Sequence, residues 1–593
     1  MSARHAYRTT MGATLLDPSR TLFRLWAPSC TYVSLLLDGH PDRVMHATAD
    51  GYFECIAPVG AGARYRYRVG PDLVVPDPAS RAQPDDVHGP SMVVDPRAFE
   101  WRSTQWTGRS WEQTVIYEVH VGIAGGFRAL CDDLPRIAAL GVTAIELMPL
   151  SEFPGGRNWG YDGVLPYAPE SAYGTVDDLK MLVDTAHRIG LMVFLDVVYN
   201  HFGPDGNYLA EYAAPLFRAG SHTAWGAAID FAVPQVRTYF LENALYWLME
   251  FRFDGLRLDA VDAITERDWL LELLVRVREC VEPGRRVHLM LENRNNDADL
   301  LRRGFDAQWN DDGHNVLHVL LTGEHEGYYG NFETGTTREL ATVLRDGFLF
   351  QGQIEPVTGH PRGSPGGDLP ATSFILFLQN HDQIGNRAFG ERLDVLANPR
   401  ALRVAYALLL LCPQIPMLFM GEEWGSTRPF LFFTSHHAAL GHVVRDGRRR
   451  ELAAFSHFSD PAVRETIPDP NDPATFEASR LPQSDRQTPR AQDRINLTTH
   501  LLALRTKWII PRLRGAHALD AHAIGNRAVL ARWRMNDGAI LTIMLNLGGE
   551  AVADVPPCAD RLIHAFPDVG GDGPVGLPGY GIRVFMTEGG HGG

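Results

Sequence analysis

The sequence predicts an α/β protein, a (β/α)8 TIM barrel preceded by a β-sandwich and followed by a small β-domain. Three observations carry this reading. Between about residues 111 and 507, eight short apolar runs alternate with polar loops and amphipathic stretches, the rhythm of βα units that close a parallel sheet. The first hundred residues instead show short alternating runs punctuated by Gly, Pro and Asp, as antiparallel sandwiches do. The chain has 593 residues, more than one hydrophobic core organises, so several domains are expected.

The elements follow in order. Runs at 21–28, 32–39 and 65–69 build the expected N-terminal sandwich, residues 1–100, and the proline-rich passage 76–96 marks its boundary. The barrel is expected over 101–512, with strands at 115–121, 144–150, 192–198, 255–259, 287–292, 307–309, 373–381 and 414–421. Helical spacing links them, as in Leu130, Leu134, Ile137 and Leu140, or Leu179, Leu182, Val183 and Ala186. The third unit carries a long excursion closed by a helix at about 236–251. A second long loop, 423–489, is rich in aromatics, His, Pro and Asp and is expected to cover the barrel mouth. The amphipathic stretch 492–507 supplies the last helix. Runs at 528–533 and 540–545 point to a β-domain over 513–593.

Composition narrows the partners. A net charge of −16 argues against nucleic acid, whose phosphates need a concentrated basic surface. The one basic run, at 445–451, is short and flanked by acids, as on a solvated or ion-paired helix start. The longest apolar stretch, 405–420, is broken by Pro413 and Pro416, so no membrane span is expected. The first residues lead into Thr and Gly rather than an apolar segment, which predicts no signal peptide. Six scattered cysteines lack metal or redox spacing and read as reduced, mostly buried thiols of a cytoplasmic protein.

Three acids stand at the ends of apolar runs: Asp259, Glu292 and Asp382. A strand that is apolar along its length and acidic at its end delivers a charge to the rim where parallel barrels keep their active sites. Several such acids suggest acid/base work on a neutral, hydroxyl-rich substrate. Breaking a bond between sugars needs one protonated and one ionised carboxyl group. Arg257, two residues before Asp259, shares its strand face and would hold it ionised as a nucleophile. Glu292 follows a wholly apolar strand, and apolar surroundings raise a carboxyl pKa, which suits a general acid. Asp382, beside His381, is placed to bind ring hydroxyls.

The neighbouring motifs extend this. Asp196-Val197-Val198-Tyr199-Asn200-His201, Gly255-Leu256-Arg257-Leu258-Asp259-Ala260-Val261-Asp262, Leu291-Glu292-Asn293 and Gln379-Asn380-His381-Asp382 resemble, in order, the four sequence regions of the α-amylase superfamily of glycoside hydrolases. The resemblance implies Asp259 as nucleophile, Glu292 as proton donor and Asp382 as transition-state stabiliser, with His201, Arg257 and His381 on the sugar. Tyr161, in Trp159-Gly160-Tyr161-Asp162, matches the aromatic that this superfamily stacks under the sugar.

Within the superfamily, stretches at 200–208, 306–312, 379–387, 421–433 and 467–473 are similar to the malto-oligosyltrehalose trehalohydrolase family along essentially the whole chain. That likeness implies retaining endo-hydrolysis of the α-1,4 bond beside a terminal trehalose unit, within trehalose biosynthesis. A malto-oligosyltrehalose or a related α-glucan is the implied partner. The chain departs from the family pattern at Arg294, more basic than expected just after the acid. The alternatives are a glycogen branching enzyme, which also carries an N-terminal sandwich, and a non-catalytic glucan-binding protein, which usually lacks one of the acids.

Asp311, Asp312 and His314 follow the sixth strand and are expected either to bind glucose hydroxyls or to stabilise their loop. Asp262, Gln383 and Asn386 lie just beyond the principal residues, to touch substrate or orient those that do. Among Trp424, Phe430, Phe432 and Phe433, at most one or two are expected as sugar platforms. Asp196 reads as structural. Asn200 matches a calcium-binding position of some superfamily members, but no metal and no cofactor is expected.

Overall fold

The computed structural model describes residues 3–587 apart from 224, 333–336, 454, 559 and 568–575. The outermost residues of the first and last expected domains, 1–2 and 588–593, lie outside the described residues, as does residue 454 of the long loop.

Eight parallel strands pair in chain order and close into a barrel: β1 (Ile116–Val119), β2 (Ala144–Leu147), β3 (Met192–Val197), β4 (Gly255–Leu258), β5 (His288–Leu291), β6 (Ala307–Trp309), β7 (Phe374–Leu376) and β8 (Ile415–Phe419). Each falls inside its predicted run. The seventh is much shorter than 373–381: Asn380 accepts a hydrogen bond from the Gln383 backbone N–H and starts the short helix His381–Gly385. An asparagine cap of this kind outcompetes strand extension, so Asp382 stands in the first turn of a helix rather than at a strand end.

Alternate residues of each strand enter the barrel. Ile116, Ala144, Met192, Phe194, Met290, Ala307, Trp309, Ile375, Ile415 and Met417 pack there as one apolar cluster. Two residues further along stand Glu118, Glu146, Asp196 and, just past β5, Glu292, with Arg257 on β4 and Asp259 just past its end. The apolar plug thus gives way to a charged layer at the C-terminal rim. Unpaired buried charge costs several kcal/mol per ion, so each member of this layer must pair or give up its charge.

The other regions frame that rim. Two small antiparallel sheets before the barrel, one pairing Gly12–Asp17, Arg20–Trp26, Tyr52–Ala57 and His46–Ala47, enclose Phe23, Leu25, Leu35 and Tyr67. They dock on the helix Pro234–Met249, where Glu242 accepts from Thr10 N–H and Oγ1 at 2.7 and 2.6 Å. After the barrel, five antiparallel strands run in the order His517–Gly525, Ala528–Arg534, Ile540–Asn546, Gly581–Met586, Arg561–Phe566. The excursion after β3 holds a hairpin of Phe217–His222 and Ala227–Ile229. The long loop after β8 contains the helix Ala438–Leu452; the basic run 445–451 fills its C-terminal half rather than a helix start, and its Arg448 donates to the Gly385 and Arg387 carbonyls at 2.7 and 2.9 Å. Those bonds pin the loop onto the segment after β7. All six cysteines are unpaired, and only Cys412 is buried, so the expectation of mostly buried thiols does not hold; among the described residues no helix is long and apolar enough to cross a membrane.

Candidate active site

Arg257 has no solvent exposure and organises the charged layer. Its Nη1 donates to Asp259 Oδ1 at 2.7 Å and to both Asp196 oxygens at 2.8 and 2.9 Å. Its Nη2 forms an ion pair with Glu292 Oε2 at 2.8 Å. The same guanidinium lies 4.0 Å from the centroid of Trp309 below it, a cation–π contact that fixes the plane of the fork. One planar cation therefore sets the relative position of three acids from β3, β4 and β5.

Polar neighbours hold each acid further. Asn200 Nδ2 donates to Asp259 Oδ2 at 2.8 Å and to its carbonyl at 3.0 Å, and the Ala260 N–H donates to Glu292 Oε2 at 3.0 Å. Tyr161 donates its hydroxyl to Asp196 Oδ2 at 2.6 Å and stacks on His381, with ring centroids 5.1 Å apart. His201 lies between Asn200 Oδ1, 2.5 Å from its Nδ1, and the Tyr161 carbonyl, 3.0 Å from its Nε2. His381 Nδ1 contacts Glu118 Oε1 at 2.5 Å, and its Nε2 lies 3.5 Å from Asp382 Oδ1. Asn386 Nδ2 donates to the same Asp382 oxygen at 3.3 Å.

Seven acids, Glu118, Glu146, Asp196, Asp259, Glu292, Asp311 and Asp382, share this region with the cations Arg257 and His381, and Arg362 stands beside Asp311. Burial governs titration here, and the neighbouring charges modify it. Burial raises Glu292, Arg257 opposes it and Asp259 raises it again, with a net value of about 6. Burial also outweighs Arg257 at Asp259, whose carboxyl sits above its ordinary range. Arg257 alone would shift it the other way. Asp382 is likewise raised by burial against the pull of His381. Burial and the Glu292 charge push Asp311 to about 8. Glu146, buried with both oxygens unpartnered in protein, is driven well above the carboxylate range by burial and then by Glu118 and Asp196. At His381 burial disfavours the imidazolium, but Glu118 and Asp382 more than offset it and its pKa rises to about 9.

The remaining sequence-predicted residues divide. Asp311 opens the helix Asp311–Thr322, where burial and the charges of Glu292 and Asp382 raise its carboxyl. Asp262 is exposed beside β4 and accepts from the Arg294 N–H at 3.4 Å, while the Arg294 side chain is exposed. Gln383 is half-buried, its N–H held by Asn380. Asp312 and His314 are enclosed. Asp312 accepts from Asn296, Arg362 and the Leu349 and Phe350 N–H groups. His314 stacks on Phe377 and contacts the Leu378 carbonyl at 2.7 Å through Nδ1. Trp424, Phe430 and Phe433 are core residues, and Phe432 is half-buried, edge-on to Trp159.

Sequence reasoning missed Glu118, Glu146 and Trp225. The two glutamates lie mid-strand, and their period-2 spacing after Ile116 and Ala144 was the available signal. Trp225, 55% exposed, stacks on His201 with centroids 5.6 Å apart. A lone tryptophan in a polar excursion carries no such pattern. Among the described residues, no group of three or more His, Cys, Asp or Glu side chains is arranged to hold a metal ion. The Asn200 Oδ1, the atom a cation would use, is taken by His201 Nδ1, and its Nδ2 by Asp259.

The model of the alpha amylase catalytic domain matches residues 84–218, and a domain of unknown function, DUF3459, matches 516–584. A malto-oligosyltrehalose trehalohydrolase from Deinococcus radiodurans is 43% identical over 508 residues, 84% of each chain. The chain belongs to the malto-oligosyltrehalose trehalohydrolase family. That makes it a glycoside hydrolase of the α-amylase superfamily, and the barrel with its flanking antiparallel sheets is the architecture of a solved family-like structure. That structure, from Salmonella typhimurium and provisionally designated an alpha amylase, superposes with a TM-score of 0.92 at 42% identity over 98% of this chain and all of that one. A 1,4-alpha-glucan branching enzyme from Burkholderia thailandensis is 36% identical, but over only 42% of this trehalohydrolase-family chain and 34% of its own.

Proposed function

We propose that this enzyme hydrolyses the α-1,4-glucosidic bond next to the terminal trehalose of malto-oligosyltrehaloses, with retention, releasing trehalose and a shortened maltodextrin in trehalose biosynthesis. The observation that carries the chemistry is the single Arg257 fork touching both Asp259 and Glu292. It favours the close carboxylate spacing of retaining enzymes, about 5–5.5 Å, over the wider gap that admits a water between them. Family membership supports the choice of substrate.

In the first step an Asp259 oxygen forms a bond to the anomeric carbon while the bond to the leaving oxygen breaks. Glu292, protonated up to about pH 6, gives that oxygen its proton, so neutral trehalose departs. Arg257 offsets the charge that shifts among Asp196, Asp259 and Glu292. In the second step Glu292 takes a proton from water, whose oxygen displaces Asp259 from the same carbon. His381, cationic through Glu118, and Asp382 supply a donor and an acceptor for ring hydroxyls, and Tyr161 offers its ring face to the sugar. Asp312 and His314 support loops rather than touch substrate. The unpaired cysteines support a cytoplasmic location.

Incubation with maltotriosyltrehalose tests this. Equal amounts of trehalose and maltotriose, the latter initially the α-anomer by NMR, are expected. New α-1,6 linkages without free trehalose would establish a branching enzyme instead.

A further inference from the structure

Tyr161 is carried by a loop in the β2–β3 connection that starts and ends at one short antiparallel pairing, Ser151–Glu152 against Leu165–Pro169. Two glutamates stand at its base, one on each limb, and the reaction above uses neither. Glu152 and Glu170 are both fully buried. Their side chains cross the base in opposite directions. Glu170 Oε2 accepts from the Phe153 N–H of the outgoing limb at 3.1 Å, and Glu152 Oε2 and Oε1 accept from the Ser171 N–H and hydroxyl of the returning limb at 2.8 and 3.0 Å. Glu170 Oε1 accepts from the Ala172 N–H at 2.8 Å. All four carboxyl oxygens are thereby committed at the base of the loop.

These bonds hold two acids together without a counter-ion. Among the described residues, the charges that bear most on the pair are its own and that of Asp86, which accepts from the Gly155 N–H of the same loop at 3.0 Å. The Tyr173 phenol lies beside Glu170, and among the described residues no cation pairs with either glutamate. Two like charges buried in this way are costly, and a carboxyl that can neither pair nor reach water keeps its proton. Burial accordingly lifts both groups above the ordinary range, Glu152 further through the Glu170 charge, and the N–H donors only partly oppose it. In an opened loop water reaches both carboxyls and they ionise at ordinary values. The closed loop thus binds more protons than the open one, so closure is strongest at acid pH and weakens as pH rises from the ordinary carboxylate range towards the raised one.

What the loop delivers is Tyr161, whose hydroxyl donates to Asp196 and whose ring stacks on His381. We propose that Glu152 and Glu170 are a positioning pair that fastens the base of the Tyr161 loop, and that the fastening weakens as the pair takes on charge. Its consequence for sugar binding rests on the role given to Tyr161 in the proposed reaction; the fastening itself does not.

The test uses the full-length enzyme with Glu152→Gln and Glu152→Ala. Glutamine can accept from the Ser171 N–H through its oxygen and donate through its amide to the Ser171 hydroxyl, which accepts as readily as it donates. It keeps the bonds and removes the charge, and it serves if the alanine variant folds poorly. Amide hydrogen exchange of residues 153–164, compared between proteins at one pH, reads the loop with no substrate present. Wild type and Glu152→Gln should exchange alike at pH 5, and by pH 8 the wild type should exchange about tenfold faster or more. Glu152→Ala should exchange faster than both at pH 5. A ratio of wild type to Glu152→Gln that stays the same from pH 5 to pH 8 overturns the charge dependence, and wild-type protection in a folded Glu152→Ala overturns the fastening. Calorimetric titration of maltopentaose, with Asp259→Ala as the parent, reads the positioning of Tyr161 whether or not any substrate yields trehalose. Binding should weaken severalfold on adding Glu152→Ala at pH 5 and should recover with Glu152→Gln; an unchanged Kd across the set overturns the positioning role even if trehalose is made.

Discussion

Glu118→Gln removes one charge from beneath His381 while changing almost no volume. Glu118 now meets His381 Nδ1 at 2.5 Å and accepts from its backbone N–H at 3.1 Å, and an amide carbonyl can keep one of these contacts. The charge is what goes. Although burial disfavours the His381 imidazolium, Glu118 and then Asp382 carry its pKa from 6.5 to about 9. That rise corresponds to about 3 kcal/mol of preference for the charged form. Because the folded value lies above the unfolded one, this stabilisation is fully present below pH 6.5 and is lost as pH rises through about 9. Urea unfolding should therefore find Glu118→Gln less stable than the parent by about 2–3 kcal/mol at pH 6. The gap should close by pH 10. At pH 7 the variant's His381 is neutral and donates more weakly to a sugar hydroxyl, so kcat should fall about a hundredfold. An equal stability loss at pH 6 and pH 10, or no loss at pH 6, refutes the charge argument and leaves Glu118 a spacer.

Other consequences are as direct. Asp259→Ala and Glu292→Gln should keep the parent circular dichroism spectrum while turnover drops by about a thousandfold or more; near-normal turnover in either would remove that residue from the chemistry. Since Glu292 must carry its proton and titrates at about 6, kcat/KM should decline as pH rises through that value, and a flat profile to pH 9 contradicts its role as acid. Gly203→Ala would drive a Cβ into the Asp162 carbonyl where the His201 loop meets the Tyr161 loop; it should raise KM about tenfold, at a cost of about 1.4 kcal/mol in binding, with global stability measured alongside. A chelator should leave the rate unchanged, because the Asn200 Oδ1 that a cation would need already meets His201 Nδ1; restoration of a lost rate by calcium would show otherwise.

The alternation of apolar run and amphipathic helix, and the place of Asp259 and Glu292 directly after β4 and β5, were legible in the chain itself. Strand side chains repeat every two residues, so the run that fills the barrel also states which later residue shares its face. Arg257 and Asp259 were visible as partners for that reason. Asp382 was legible as a residue but not as geometry, since the Asn380 cap ends the strand early and a helix turn presents it. What only closure of the barrel decided is who meets whom: Glu118 with His381 across 263 positions, Asp196 and Glu292 on one guanidinium, and Trp225 on His201. Those contacts depend on how the strands shear and where long loops fold back, which local periodicity does not encode. Even the sign of the Asp259 shift came from burial in the assembled layer, against what its sequence neighbour Arg257 would impose.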